Sequence, residues 1–176
     1  MTLLEMKKLA LAQMGEDTGE DELAEYGELL SAYLNEAYMQ ICRHKKHKFA
    51  EETLTFEDGR APLGSLTKQA TAIISVADDN GSKLSFDVLA DWIFLSGEVS
   101  GAYIVQYLYL PEKLADDGDS PDLADSDCML LTDFATYRAL SLGNPTRQKR
   151  AEFFLMRYLS GYADQKAKQT HLVNKY

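Results

Sequence analysis

The sequence has few of the residues from which small proteins build cross-links and metal centres. Among its 176 residues there are only two cysteines, three histidines and one tryptophan. Cys42 and Cys128 lie far apart and have no cysteine or histidine at metal-ligand spacing, so we expect both to be buried as small hydrophobic residues. A disulfide scaffold is therefore excluded, and the sequence predicts neither a metal site nor a cofactor.

Long hydrophobic runs are also missing. No apolar stretch approaches the roughly 20 residues that a membrane-spanning helix needs, so we expect no membrane partner. Hydrophobic residues make up 45% of the chain and charged residues 26%, which is ordinary for a globular protein and excludes disorder throughout. The length suits one domain, or one domain with a subdomain inserted in it.

Positive charge is scarce and is concentrated at one end. The formal net charge is −10, yet the residues from Asn144 onward include seven basic and only two acidic ones. An acidic body repels phosphates, and non-specific affinity for DNA comes from neutralising them. We therefore do not expect DNA to be the main ligand. A helix-turn-helix reading of Arg147, Lys149 and Arg150 is disfavoured further, because residues 153–156 are expected to be mostly buried.

Motifs of catalysis are absent from the sequence. There is no glycine-rich phosphate loop, no Gly-x-Ser-x-Gly turn and no His-Glu-x-x-His pair, so we expect a protein that is not an enzyme. The acidic stretch Asp116-Asp117-Gly118-Asp119 lacks the residue order and the closing glutamate of a calcium loop. We interpret it as a solvated charge run, and a metal-dependent hydrolase using this loop stays as a weaker alternative.

Helix signals stand at both ends of the chain. Thr2 and Glu5 form a capping-box pattern, and apolar residues recur at three- and four-residue steps from about Asp21 to His47. A third helix is predicted from Asp125 to Leu142, and Gly143-Asn144-Pro145 then predicts a tight turn into a fourth. The tail from residue 164 is polar, and we expect it to be flexible.

The residue pattern in the middle of the chain predicts β-strands. Asn80-Gly81 between two alternating runs predicts a hairpin, whose second arm would hold Leu84, Phe86 and Val88. The last strand, 102–110, is expected to be covered on both faces. The sequence thus predicts an α+β fold, in which a helical bundle with a C-terminal helix hairpin carries an inserted small antiparallel β-sheet or sandwich. The predicted divisions are 1–50 for the first helices, 51–111 for the β insertion, 112–163 for the acidic loop and helix hairpin, and 164–176 for the tail.

Two groups of residues are candidates for binding a partner protein. One is the basic cluster at the end of the long helix, where cations also complement the helix dipole without any ligand. The other is the basic tail, which could equally be a free disordered end. The candidate partner-binding residues are Arg43, Lys45, Lys46, Lys48, Lys166, Lys168, Lys175 and Tyr176.

The order of these parts carries a resemblance. A short helix and a long helix with Tyr33-Leu34-Asn35-Glu36-Ala37 open the chain, and the β-rich insertion ends in Tyr107-Leu108-Tyr109-Leu110-Pro111. An acidic loop with Asp119-Ser120-Pro121-Asp122-Leu123 follows, and then a helix with Ala135-Thr136-Tyr137-Arg138-Ala139-Leu140. In this arrangement the chain resembles the head–tail connector, or adaptor, proteins of tailed bacteriophages.

The resemblance implies a structural role without a catalytic site. Such proteins commonly form a homo-oligomeric ring of twelve copies in the virion neck, after assembly in the host cytoplasm. The ring joins the portal protein to the next neck or tail protein, and DNA passes through it only as channel cargo. Another phage interaction protein with the same helical frame, a tail-completion factor or an assembly chaperone, remains an alternative.

Overall fold

The chain forms an α+β fold that divides into two compact units. The computed structural model describes residues 1–97 and 99–173, with side chains through Ala163. A helical unit consists of Met1–Lys45 and Glu112–Tyr176, and a β unit consists of Lys46–Pro111. The helices are α1 (Leu3–Met14), α2 (Glu20–His44), α3 (Asp125–Ser141) and α4 (Pro145–Val173).

The first helix begins where the sequence predicts. The Thr2 side chain accepts a hydrogen bond from the Glu5 backbone N–H, and the Glu5 carboxylate accepts one from Thr2, which confirms the capping box. Gly15 ends α1 in the left-handed conformation at φ 80°, where glycine carries no Cβ penalty. Leu11 is fully buried, whereas Leu9 is only half-buried.

The long helix α2 buries one stripe along its length. Leu30, Ala37 and Ile41 are fully buried, as their spacing predicts. The helix ends at His44, three residues before the predicted end. Lys45 takes the C-cap position with a non-helical backbone, and its N–H still donates to the Ile41 carbonyl.

A tight turn joins α3 and α4. The Asn144 Oδ1 atom accepts hydrogen bonds from the Thr146 and Arg147 N–H groups, both at 3.1 Å, and Pro145 is the first helical residue. The predicted helix hairpin is therefore confirmed. A glycine suits position 143, since a Cβ atom there would lie 2.8 Å from Arg147 Cβ, which the backbone of α4 holds in place.

The fourth helix is longer than predicted. The sequence predicted a flexible tail from residue 164, whereas the backbone stays helical to Val173. Alanine, lysine and glutamine make up five of the ten residues from 164 to 173, and all three have high helix propensity. The backbones of Lys166 and Lys168 thus lie in α4, with side chains outside the described residues. Lys175 and Tyr176 lie wholly outside them.

The β unit contains two antiparallel sheets. The strands are β1 (Lys48–Phe56), β2 (Arg60–Pro62), β3 (Ala70–Ala77), β4 (Lys83–Leu84), β5 (Phe86–Leu89), β6 (Trp92–Leu95) and β7 (Gly101–Tyr109). One sheet has the order β1-β7-β3-β4 and the other β2-β6-β5. Their buried faces share one hydrophobic core, which includes Phe56, Ile93 and Val105.

The predicted Asn-Gly hairpin is confirmed, but its second arm is not one strand. Asp78 Oδ1 accepts hydrogen bonds from the N–H groups of Asn80 and Ser82, and Gly81 adopts φ 80°. After two residues of β4, the chain leaves the first sheet and forms β5 of the second sheet. Local turn chemistry fixes the hairpin, whereas the change of sheet depends on the partner strand β6.

The last strand is buried on one face only. Val105 and Tyr107 are fully buried, but Gln106 between them is exposed and the apolar Ile104 and Leu108 are half-buried. The expectation that this strand is covered on both faces is therefore corrected. Successive side chains of a strand point to opposite faces, and only one face meets the second sheet.

Candidate functional site: interaction surfaces

The predicted basic cluster is divided between the two units. Arg43 and Lys45 belong to the helical unit, whereas Lys46 and Lys48 belong to the β unit. Lys45 is only 5% exposed, and its Nζ lies 4.3 Å from the centre of the Tyr162 ring. This cation–π contact stabilises the end of α2, so Lys45 is corrected from a docking residue to a structural one. Arg43 is exposed.

The acidic loop caps the N-terminus of α1. The Leu3 N–H donates to the Asp119 carbonyl at 2.7 Å, and the Leu4 N–H donates to the Asp117 carbonyl at 3.0 Å. These bonds satisfy two of the N–H groups that a helix leaves unpaired at its start. Lys7 also forms a 2.6 Å ion pair with the Asp117 carboxylate. The loop thus has a structural role.

Within the same loop, one carboxylate holds the chain in its turn. Asp119 Oδ2 accepts hydrogen bonds from the Ala115 N–H at 2.7 Å and the Asp116 N–H at 2.9 Å. Both bonds favour the ionised form, so they lower the pKa of Asp119. Among the described residues, no group of three or more His, Cys, Asp or Glu side chains is arranged to hold a metal ion.

A polar network that the sequence did not indicate connects three helices. Gln13 of α1 donates to Asp133 Oδ1 at 3.2 Å and accepts a 2.6 Å hydrogen bond from Thr136. Arg157 Nε of α4 lies 3.3 Å from Asp133 Oδ2. Burial raises the pKa of Asp133, and the nearby guanidinium opposes that shift. The network fixes the register of α1, α3 and α4, and nothing in it offers a substrate cleft.

The outer face of α4 is apolar. Phe153 is 60% exposed, Met156 66% and Leu159 47%, and we name these three residues the outer seam. The sequence predicts that residues 153–156 are mostly buried, and this prediction is wrong for Phe153 and Met156. Phe154 and Tyr158 occupy the inner face instead, with Phe154 7% and Tyr158 5% exposed.

The sequence did not predict the outer seam, because both the inner and the outer face of α4 have large apolar side chains. Apolar residues occur on every side of α4 between residues 151 and 159, so periodicity does not distinguish the face that packs on α3. The Phe134 ring of α3 selects that face by packing against Tyr158, with ring centroids 5.1 Å apart.

An open groove lies along the outer face of α2. Its volume is about 480 Å³, and we name it the α2 groove. Ala32 is exposed in this groove, and its side chain is smaller than those of Glu36 and Met39, which also line it. The residues that form the groove include Ala32, Glu36, Met39, Gln40, Arg43 and Lys113.

The β unit has an aromatic patch on its three-stranded sheet. Trp92 of β6 pairs with Leu89 of β5. Phe94 lies two residues further along β6 and therefore on the same face of the sheet as Trp92. Leu89 is 70% exposed, Trp92 40% and Phe94 36%. The Arg60 guanidinium lies 5.7 Å from the Trp92 ring centre. The patch is a second apolar surface that the strand pattern did not identify.

Comparison with protein families and with curated protein sequences identifies no relative of this chain. No protein-family model and no curated protein sequence matches the chain. None of the helices in the described part of the chain combines the length and hydropathy of a membrane span. The function proposed below therefore rests on the surfaces and on the sequence resemblance.

Proposed function

We propose that this chain is a non-catalytic structural subunit that forms the neck ring of a tailed bacteriophage. In this proposal, copies of the chain join the portal protein to the next neck or tail protein, and DNA passes through the ring as cargo. Twelve copies are expected from the resemblance. Assembly would take place in the host cytoplasm.

The outer seam of α4 carries this proposal. A helix that already packs one face on α3 has no structural use for a second apolar face in an isolated subunit. Exposed apolar patches of this kind mark surfaces for protein partners. A ring subunit needs such a surface, because it must contact copies of itself as well as the proteins above and below it.

The distribution of charge agrees with a DNA channel. The residues before Asn144 include 26 acidic and 11 basic ones, which gives them a strong negative potential. A wall of this charge neutralises few phosphates, so DNA slides along it without being held.

The portal contact is assigned to two groups of mainly basic residues. They are Arg43, Lys46 and Lys48, and the C-terminal group Lys166, Lys168, Lys175 and Tyr176. Basic side chains on an acidic protein orient it towards an acidic partner surface and raise the association rate.

Negative-stain electron microscopy tests the proposal directly. The purified chain is imaged by itself and after mixing with portal particles of tailed phages. We expect a closed ring stacked coaxially on a portal. A chain that binds none of a broad panel of portals would overturn the proposal and favour another interaction protein.

A truncation tests the assigned portal contact. Deleting residues 166–176 should weaken portal binding and leave the melting curve of the protein intact. The matched control exchanges Lys166, Lys168 and Lys175 for glutamine in the full-length chain, which removes the charge and keeps the length. Unchanged portal binding by both variants would show that the C-terminal group makes no such contact.

A further inference from the structure

We propose that the aromatic patch of the three-stranded sheet is the contact face of a two-fold symmetric dimer of this chain. In this dimer the patches of two copies lie face to face, with the symmetry axis running along β6. The inference goes beyond the neck function and does not rest on it, because an isologous contact closes between two copies and needs neither a ring nor a portal.

One row of side chains on the patch has opposite charges at its two ends. Phe94 of β6, the middle strand, is paired with Arg60 of β2 on one side and with Asp87 of β5 on the other. Directly paired residues project from the same face of a sheet. This is the outer face, because Phe94 is 36% exposed whereas Ile93 before it is fully buried. The row therefore runs from a cation through an aromatic ring to an anion.

The second row of the patch is apolar throughout. Trp92 of β6 is paired with Pro62 of β2 and with Leu89 of β5. Leu89 and Trp92 are both exposed to solvent. The middle strand thus presents two aromatic rings at the centre of the face, and aromatic residues and arginine are the types that protein interfaces favour.

No ion pair within the chain competes for the two charges of the patch. Arg60 and Asp87 are exposed, and neither forms an ion pair with any residue that the structure describes. They lie on the two outer strands, about 10 Å apart at two strand spacings, with Phe94 between them. A partner that brings an anion to one edge of the patch and a cation to the other edge complements it.

A second copy of the same face brings these charges to the right places. Rotation by 180° about β6 exchanges the two edges of the sheet and leaves each row opposite its own counterpart. Arg60 of each copy then faces Asp87 of the other copy, and Phe94 faces Phe94. Sheets that pack face to face lie about 10 Å apart, a gap that a long arginine and a short aspartate side chain span together. The patch is therefore complementary to itself.

The charges also exclude the other two-fold arrangement of two facing sheets. An axis across the strands would exchange the rows, so that Arg60 would face Pro62 and Asp87 would face Leu89 of the other copy. Both charges would then lose water without gaining an opposite charge, which costs free energy. The axis along β6 is the one that pairs them.

The concentration dependence of the dimer is the first test. A face of two rows is small, and interfaces that bury less than about 1,200 Å² typically belong to weak complexes. Sedimentation velocity of the full chain without portal should therefore extend to about 1 mM, where we expect a monomer–dimer equilibrium. A chain that is monomeric throughout this range would overturn the proposal.

Trp92 supplies a probe of the contact itself. It is the single tryptophan of the sequence, so tryptophan fluorescence reports on the aromatic patch alone. Quenching by acrylamide should weaken as the chain concentration rises, because dimerisation covers the ring. Dimerisation that leaves the quenching unchanged would place the contact elsewhere and overturn the proposal.

An exchange of charges tests the alignment of the two copies. Arg60→Glu and Asp87→Arg each place like charges at both ends of the contact, so each variant should need at least about tenfold higher concentration to dimerise. The variant with both changes restores opposite charges and should dimerise like the unmodified chain. An equimolar mixture of the two single variants should form a heterodimer, because each copy then brings the charges that the other lacks. Failure of both samples to recover dimerisation would overturn the alignment along β6.

A matched pair of threonine variants tests the apolar part of the contact. Trp92→Thr removes the central ring and should weaken dimerisation at least about tenfold. Phe49→Thr is the control, because Phe49 is 68% exposed but belongs to β1 of the other sheet. Circular dichroism checks that the variants fold, and Leu89→Thr replaces Trp92→Thr if that variant does not. Dimerisation that survives the loss of the patch residue, or that Phe49→Thr weakens equally, would overturn the proposal.

Discussion

Asn35 holds Leu114 by a reciprocal pair of hydrogen bonds. The Asn35 Nδ2 atom donates to the Leu114 carbonyl at 2.9 Å, and the Leu114 N–H donates to Asn35 Oδ1 at 2.8 Å. Asn35 is 8% exposed and Leu114 7%, so neither backbone group of Leu114 has ready access to water. The amide thus replaces a strand partner for the segment that follows the β unit, and it anchors that segment to α2.

Asn35→Ala is expected to destabilise the protein by about 3 kcal/mol. The change leaves a buried N–H and a buried carbonyl unpaired, and each unsatisfied group costs about 1–3 kcal/mol. Urea unfolding followed by circular dichroism measures the loss. Ser31→Ala is the matched control on the same helix, because the Ser31 hydroxyl only donates to the Gly27 carbonyl one turn earlier. The control should stay within about 0.5 kcal/mol of the unmodified chain. A loss under about 1 kcal/mol for Asn35→Ala would contradict the anchoring role.

Gly59→Ala is expected to be among the most damaging small substitutions in the β unit. Gly59 has φ 74°, and a Cβ atom there would lie 2.5 Å from the Gly97 carbonyl oxygen. The left-handed backbone costs a non-glycine residue about 1–2 kcal/mol, and overpacking costs about 1–3 kcal/mol more.

Gly81→Ala separates the two effects. Gly81 has a similar φ of 80°, but nothing lies within 4 Å of its Cβ position. This variant should therefore show only the backbone cost of about 1–2 kcal/mol. Equal unfolding midpoints for the two variants in urea would show that the Gly97 carbonyl moves aside freely.

Leu30→Asp is expected to unfold the helical unit. Leu30 is fully buried in the inner stripe of α2, and an unpaired charge at such a site costs several kcal/mol. Ala24→Asp places the same side chain at an exposed position of the same helix and should melt within a few degrees of the unmodified chain. A normal melting curve for Leu30→Asp would mean that the stripe is assigned to the wrong face.

The stability of the protein should decline in alkaline solution because of Tyr158. Burial raises the pKa of Tyr158 to about 12, whereas an unfolded tyrosine titrates near about 10. Above the unfolded value, the unfolded chain loses a proton that the folded chain retains, so the contribution of this group falls as pH rises towards the folded pKa.

Comparison with Tyr158→Phe isolates this effect from other alkaline titrations. Unfolding free energies are measured in urea at several pH values from about 9 to 12. The unmodified chain should lose up to about 3 kcal/mol more than the variant over this interval, at 1.36 kcal/mol for each pKa unit. The Tyr158 hydroxyl also donates to Gln40 Oε1, which shifts the variant by a constant amount below about pH 10. Parallel pH profiles would contradict the raised pKa.

Signals contained in a few neighbouring residues predicted the fold well. The capping box at Thr2 and Glu5, the turn through Asn144 and the hairpin at Gly81 all form as their sequences predict. In each case the hydrogen bonds that stabilise the feature close within a handful of residues, so no distant partner is needed.

Features that depend on a distant partner were missed. Strand β2 has only three residues and exists by pairing with β6, some 30 residues further along. The capping of α1 by the acidic loop joins Leu3 to Asp119, and their sequence separation hides it from any local pattern. The outer seam also depends on a distant partner, because Phe134 of α3 packs on the opposite face of α4 and leaves the seam exposed.

The sequence by itself determined the α+β class, the residues where the four helices begin and the turns at Gly81 and Asn144, because periodicity, capping and turn chemistry act over short stretches of chain. Tertiary structure decided which apolar residues are buried and which remain outside. Phe153 and Phe154 are identical and adjacent, yet one is 60% exposed and the other 7%. Helix rotation separates two such neighbours by about 100°, so the packing of α4 against the other helices buries one of them and leaves the other exposed.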